Sequence, residues 1–163
     1  MKKIGIIIVA AAAAIVATSA NAQLLEHRDL KFATAKVIAE TAIETCRARN
    51  YFVSVHVVDR YGASIVSMVD DGAGPHTYEN ARRKAYTAMT FRRPSQEFGD
   101  RLAKADTGAQ LQLMLPGMSG QPGGIQVKVG NDTIAGIGVS GAGMGYDLVC
   151  AQTGLDKVAA QLK

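Results

Sequence analysis

Two strand–turn–strand segments constrain the fold more than any other feature of this sequence. Residues 51–58 alternate in side-chain character and are rich in β-branched residues, residues 59–62 form a turn, and residues 63–69 return as a second strand. Residues 125–129 and 133–140 repeat this pattern around a short turn. Tight turns join antiparallel strands, so both segments predict hairpins of a mostly antiparallel sheet.

Helical segments surround the two hairpins. Apolar residues recur at helical spacing over 29–49, where Asp29 is the predicted N-cap. A second helix is predicted over 77–90 with Thr77 as its cap, and Ser95 is predicted to cap a short third helix. An apolar-striped segment ends the chain. The order helix, hairpin, helices, hairpin, helix predicts an α+β fold.

The N-terminus has the pattern of a secretory signal. Lys2 and Lys3 are followed by an apolar stretch over 4–17, and small residues at Ala20 and Ala22 fit a cleavage site after Ala22. We therefore expect a signal peptide over 1–22, a single domain over 23–163, and a periplasmic or secreted protein. An uncleaved membrane anchor is the alternative.

Charge and hydropathy argue against nucleic-acid binding and against a membrane span in the mature domain. Loss of Lys2 and Lys3 lowers the formal net charge from +4 to +2, which gives little support for nucleic-acid binding. No other apolar run approaches the length of a membrane span, so none is expected after cleavage.

The two cysteines, Cys46 and Cys150, have no metal-binding, redox or haem-attachment spacing. An exported protein can join them in a disulfide. They are also compatible with two buried, reduced thiols that act as small apolar residues, and this is the favoured interpretation.

The sequence lacks the motifs of several common binding and catalytic sites. The glycines of 138–145 follow a hairpin strand, so they indicate a tight strand-to-helix turn rather than a phosphate cradle. No G-x-S-x-G or H-x-x-x-H occurs, and His56 is expected to be a hydrogen-bonded strand residue. Asp59, Asp70 and Asp71 could gather around a hard cation or be ordinary turn residues.

The remaining candidate residues suit a haem-binding site. It needs a His or Met ligand, an apolar slot and cations for its propionates. His76 and the irregular, methionine-containing stretch 107–124, with Met114 and Met118, could supply ligands, and a loop of this length is often functional. The available cations are Arg82, Arg83, Lys84, Arg92 and Arg93.

Several motifs in order resemble the GlcG/HbpS family (DUF336) of small haem-binding proteins. They are VVD with a following glycine, DGA, RKAYTA, RPS, GG before a strand, and GIGVSGA, and together they span about residues 30–160. The resemblance implies a profilin-like fold, a central antiparallel sheet flanked by helices, assembled into homo-oligomers. It also implies haem binding in some members, haem degradation or sensor partners in others, and links to glycolate or diol metabolism.

The resemblance transfers unevenly to individual residues. In a haem-binding relative the iron ligand is a threonine directly after a Pro-Gly step, and the matching residue here is Met118. An acidic pair of the family, three residues apart on a helix, corresponds here to Glu79 and Arg82. His76 stands where relatives often carry an uncharged polar residue.

The leading hypothesis is an exported carrier, buffer or sensor accessory for non-covalently bound haem b. Met118 and His76 are the expected iron ligands, and Arg83 or a neighbouring cation is expected to bind the propionates. A sensor or transport protein is the expected partner. One alternative is an enzyme that degrades haem or acts on a small hydroxy acid. Another is a ligand-free oligomeric module that associates through a row of small side chains, Ala81, Ala85 and Ala88.

Overall fold

The computed structural model of the protein describes residues 25–143 and 145–163. The predicted signal peptide, residues 1–22, therefore lies outside the described residues. Among the residues that are described, no helix is both long and apolar enough to cross a membrane.

Four strands and five α-helices make up the described chain. In order they are α1 (Phe32–Arg47), β1 (Ser54–Asp59), β2 (Ser64–Val69), α2 (Pro75–Phe91), α3 (Gln96–Ala103), α4 (Thr107–Leu113), β3 (Gly124–Val129), β4 (Asp132–Ser140) and α5 (Tyr146–Val158), with a short 3-10 turn at Ala159–Gln161. The sheet order is β2-β1-β4-β3, and all neighbouring strands are antiparallel. The α+β prediction is confirmed.

Helices cover both faces of the sheet. Val55 and Val57 of β1, with Ile137 and Val139 of β4, join the main apolar core beneath α1 and α5. The opposite face carries α2, which contacts β1, β4 and β3. The alternation predicted for β1 is confirmed, because His56 and its neighbours on that face lie under α2.

The predicted alanine row is the contact between α2 and the sheet. Ala81, Ala85 and Ala88 are fully buried. A Cβ placed on Gly138 would lie 2.0 Å from the Ala81 carbonyl oxygen, and one on Gly136 would lie 2.3 Å from the Ala85 carbonyl oxygen. Only glycine permits this close approach of helix to strand. The row is therefore unavailable for an oligomer interface, and that part of the interaction-module alternative is wrong.

Two predicted helix caps are also wrong. Helix α2 begins at Pro75, because proline lacks an N–H and suits the first helical position. Thr77 therefore lies inside the first turn, where its hydroxyl donates to the Gly74 carbonyl at 2.6 Å. Asp29 precedes α1 without capping it and binds Arg60 instead, at 2.8 Å.

The stretch predicted as an irregular loop is helical in its first part. Asp106 caps α4 by accepting the Ala109 N–H, which accounts for the helix start. The remaining residues cross back over α2 to β3. The Ser95 hydroxyl fixes their far end, since it donates to the Gln121 carbonyl at 2.5 Å and accepts the Gly124 N–H at 3.0 Å. Ser95 stands at the N-terminus of α3 as predicted, but its side chain makes no capping bond to that helix.

Cys46 and Cys150 form a disulfide. Their Cα atoms are 5.7 Å apart, and the bond joins the last turn of α1 to the second turn of α5. Both cysteines are buried where these two helices pack together. The favoured interpretation as reduced thiols is therefore wrong.

Candidate functional site

The loop that carries Met118 is held against the second half of α2. The Thr87 hydroxyl lies 3.7 Å from the Met118 sulfur and 2.8 Å from the Arg83 carbonyl oxygen. The same hydroxyl accepts the Ser119 N–H at 2.8 Å. The fold thus brings Met118 within about one helical turn of Arg83, and the methionine side chain is buried against the helix.

An aromatic ring and a cation border the Pro-Gly step before Met118. Gly117 has a φ of +83°, a conformation that favours glycine and lets the loop reverse. A Cβ at Gly117 would lie 3.5 Å from the Tyr86 ring and 3.6 Å from the Arg82 guanidinium. We refer to Arg82, Arg83, Tyr86 and Met118 as the α2–loop face.

The charges of this face are partly neutralised by one carboxylate. Arg82 and Arg83 each bind Glu79 at 2.8 Å. Hydrogen bonds from Arg82 and then Arg83 lower the pKa of Glu79 to about 2. Glu79 is therefore ionised, and the trio keeps one net positive charge. Where the family resemblance implied an acidic pair, this chain has an ion pair.

His76 lies away from the α2–loop face. It is exposed on the first turn of α2, eleven positions before Thr87. At about 1.5 Å per residue, this separation corresponds to about 16 Å along the helix axis. Within one chain the structure does not bring His76 and Met118 together. They cannot ligate one iron from the same chain, so the expectation of a shared iron needs correction.

Lys84 is not available to haem propionates. Its ammonium group donates to Asp147 at 2.8 Å and to the Val139 carbonyl at 3.0 Å. The two charged side chains are only 2% and 6% exposed. The proposed role of this cation is wrong, because its charge is already compensated in the protein interior.

The Lys84–Asp147 pair is also the functional candidate that the sequence analysis missed. Lys84 lies three residues after Ala81 and one before Ala85, so it shares their buried face of α2. A lysine at such a position needs a buried partner. That spacing was the available signal, but nothing in the sequence identified Asp147 as the partner.

Three exposed apolar side chains lie on α4 and directly after it, before the loop that carries Met118. Leu111, Met114 and Leu115 are each more than half exposed. Surface cavities of about 360, 280 and 240 Å³ occur in the described part of the chain, but none of them is lined by His76, Arg83 or Met118. Arg83 and these exposed apolar side chains therefore lie outside the three cavities.

His56 is a hydrogen-bonded strand histidine, as predicted. It is fully buried, its Nε2 lies 2.9 Å from the Ser67 hydroxyl, and its ring meets the Tyr78 ring edge-on at 4.6 Å. Its Nδ1 has no partner among the described residues. Burial and, secondly, the positive charge of Arg82 lower the pKa of His56 to about 4, against the opposing effect of Glu79.

We predict that the buried His56 makes the protein less stable in mild acid. The unfolded chain binds a proton near pH 6.5 and the folded chain only near pH 4. The contribution of neutral His56 to the free energy of unfolding is therefore fully present above about pH 6.5. It is lost as the pH falls towards 4, and it amounts to about 1.4 kcal/mol per unit of pKa difference between the unfolded and folded states. Urea unfolding at several pH values should show a shallower dependence in His56→Gln. Equal slopes for the variant and the parent would contradict this assignment.

The three aspartates considered for a hard cation do not come together. The Asp59 carboxylate accepts the N–H groups of Tyr61 and Ala63 in the hairpin turn. Asp70, at the other end of β2, is buried and paired with Arg47. Asp71 is an exposed turn residue. The described residues contain no cluster of metal-ligating side chains, and these aspartates are turn and pairing residues.

Comparison with known proteins relates this arrangement to one family. The model of a family described as haem degrading protein HbpS-like matches residues 30–156. A double Glu-to-Asp variant of HbpS from Streptomyces reticuli is 36% identical, with a TM-score of 0.77 over 91% of this chain and 98% of that one. No match is found among curated proteins.

Two more distant structures share the fold. The Klebsiella pneumoniae protein ORFY is 24% identical, with a TM-score of 0.80 over 85% of this chain and 97% of that one. A complex described as PduOC:Heme is also 24% identical, with a TM-score of 0.73 over 79% of this chain and 94% of that one.

Proposed function

The chain belongs to the HbpS-like family, and we propose that it is an exported protein that binds haem b non-covalently. The observation that carries this proposal is the position of Met118 beside the arginines of α2, on a family scaffold. A structural relative described as a haem complex adds support from the fold. The proposed role is that of a carrier, a buffer or an accessory to a sensor or transport partner.

The residues of the α2–loop face fit haem in their donor chemistry. A thioether is an established axial ligand, arginine suits the propionates, and exposed leucines suit the porphyrin edge. Met118 is nevertheless buried and in contact with the Thr87 hydroxyl. Binding through its sulfur therefore requires the Met118 side chain to leave Thr87 and turn outward.

When bound, haem would supply a redox-active iron and a large apolar surface. In the proposed site Met118 provides the sulfur ligand, and Arg83, 47% exposed, reaches solvent to bind a propionate. Arg82 and Tyr86 border the Pro-Gly step before the ligand. His76 is the second candidate ligand, for a separate haem or for one bound mainly by another copy.

Two features support the accompanying proposals of assembly and export. None of the three cavities described above includes the α2–loop face, and another copy of the chain would enclose it in a homo-oligomer. The buried Cys46–Cys150 disulfide suits an oxidising compartment such as the periplasm or the exterior.

Titration with haemin tests the proposal. The purified protein should shift the Soret band, and Met118→Leu should weaken binding by at least about tenfold, or about 1.4 kcal/mol. Leucine keeps the packing volume of methionine but has no sulfur, so the fold should survive. His76→Ala, measured in parallel, separates the two candidate ligands.

Each result of this titration has a defined meaning. An unshifted Soret band in the parent would refute haem binding altogether. Parent-like binding by Met118→Leu together with loss in His76→Ala would transfer the ligand role to His76. Arg83→Gln should weaken binding less than Met118→Leu. Added salt should reduce the difference in affinity between the parent and Arg83→Gln, because the contact that Arg83 makes is exposed.

Oxidative haem degradation is the second candidate function, and one observation favours it. Because His76 lies about 16 Å along α2 from Thr87, which contacts Met118, the two candidate ligands of one chain do not fill both axial positions of one iron. An open coordination position suits degradation better than storage. Bleaching of the haem spectrum by ascorbate or peroxide, with iron release, would support this function. A stable spectrum under both reagents would oppose it.

A further inference from the structure

A cavity of about 240 Å³ opens directly onto the Lys84–Asp147 pair. Gln121, Pro122 and Gly143 line the rest of it. Gln121 and Gly143 are exposed, whereas the lysine and the aspartate are buried, so the cavity leads from solvent to the ion pair. None of these residues belongs to the α2–loop face.

Among the residues that the structure describes, the ammonium group of Lys84 has two hydrogen-bond partners and three donors. Of its three N–H donors, one points to Asp147 at 2.8 Å and one to the Val139 carbonyl at 3.0 Å. Gly123 keeps the surroundings open, because a Cβ there would lie 3.4 Å from Lys84 Nζ and 2.7 Å from the Asp147 Cβ. The third N–H has no partner among the described residues, and Lys84 lines the cavity.

Asp147 is held in a fixed orientation by a second bond. Its Oδ1 accepts the Ala142 N–H at 2.9 Å, which leaves Oδ2 directed at Lys84. A carboxylate fixed in this way can accept a proton from the ammonium group and return it. The transfer creates no net charge, and it removes two charges that burial disfavours.

We propose that this cavity binds a small aldehyde or ketone and that Lys84 forms a reversible imine with it. Asp147 takes a proton from the ammonium group, the amine attacks the carbonyl carbon, and a C–N bond replaces the π bond of C=O. The carbonyl oxygen takes up two protons and leaves as water. An ammonium group and a carbonyl thus give a protonated imine and water, and Asp147 ends as the carboxylate counter-ion.

The size of the cavity favours a small carbonyl compound. The cavity is about 240 Å³ and is lined by five residues. Butanal, a short aliphatic aldehyde, is the compound that we expect it to admit, and naphthaldehyde, with two fused rings, is the larger comparison. Discrimination between the two aldehydes therefore tests the cavity itself rather than general lysine reactivity.

Reductive trapping tests the proposal on the purified full chain. Butanal and cyanoborohydride should convert Lys84 to the alkylated amine in large excess over Lys128, an exposed lysine of β3, as read by peptide mass mapping. Naphthaldehyde should label Lys128 but not Lys84. Asp147→Asn should slow labelling of Lys84 by about a hundredfold, the usual contribution of a positioned base.

A variant at the rim of the cavity distinguishes blocked access from a folding defect. Gln121→Trp should block labelling of Lys84 and leave Lys128 unchanged, since Gln121 is exposed. Labelling of Lys84 at or below the level of Lys128 in the parent would overturn the proposal. Undiminished labelling of Lys84 in a folded Gln121→Trp protein would overturn it as well.

Discussion

Reduction of the Cys46–Cys150 disulfide is expected to lower the free energy of unfolding by about 5 kcal/mol. The bond closes a loop over a sequence separation of 104 residues. A cross-link of this span removes much of the conformational entropy of the unfolded chain, and a loop of about 100 residues corresponds to about 4.7 kcal/mol. That is a large part of the stability of a domain of this size.

Urea unfolding with and without dithiothreitol measures this effect. On reduction, the free energy of unfolding of the parent should fall by most of the predicted amount. The double variant Cys46→Ala, Cys150→Ala should unfold like the reduced parent and should not respond to the reductant. Two titratable thiols in the oxidised parent, or equal unfolding midpoints in both conditions, would contradict the disulfide.

The sheet could be predicted from the sequence because its signals are local. Alternation of β-branched residues and short turns defined both hairpins, and their positions agree with β1, β2, β3 and β4. Helix starts were harder to place. Threonine is a common N-cap residue, but Pro75 starts the helix two residues before Thr77. The Thr77 hydroxyl instead shares a hydrogen bond with Ser54 on the sheet.

The candidate site was only partly predictable, because its geometry depends on contacts between distant segments. The Pro-Gly-Met motif identified the loop, but not that the Met118 sulfur turns inward to Thr87. His76 and Met118 were both plausible ligands by residue type. Their separation follows from where the loop crosses α2, which no local pattern encodes.

The pairing of the cysteines was equally non-local. Cys46 lies on the buried stripe of α1, and this burial favoured a reduced thiol. The disulfide depends on α5 packing antiparallel against α1, so that Cys150, near the start of α5, meets Cys46 in the last turn of α1. That packing is a property of the whole fold.

Replacement of Lys84 by methionine is expected to destabilise the protein by about 3–5 kcal/mol. The pair with Asp147 is almost fully buried, and removal of one partner leaves the other charge uncompensated in the interior. The surface pair Lys36–Glu40, about half exposed at 3.0 Å, provides a matched control. Lys36→Met should change stability by less than about 1 kcal/mol.

The double variant Lys84→Met, Asp147→Asn distinguishes a buried charge from lost packing. Asparagine can still accept the Ala142 N–H through its carbonyl oxygen, so the turn before α5 keeps its hydrogen bond. With no charge left to compensate, the double variant should recover much of the loss, and a double-mutant cycle should give a coupling energy of up to about 3 kcal/mol. Additive losses in urea unfolding would mean that the two side chains act independently. In that case Lys84 would stabilise α2 through its aliphatic chain, and the ion pair would contribute little.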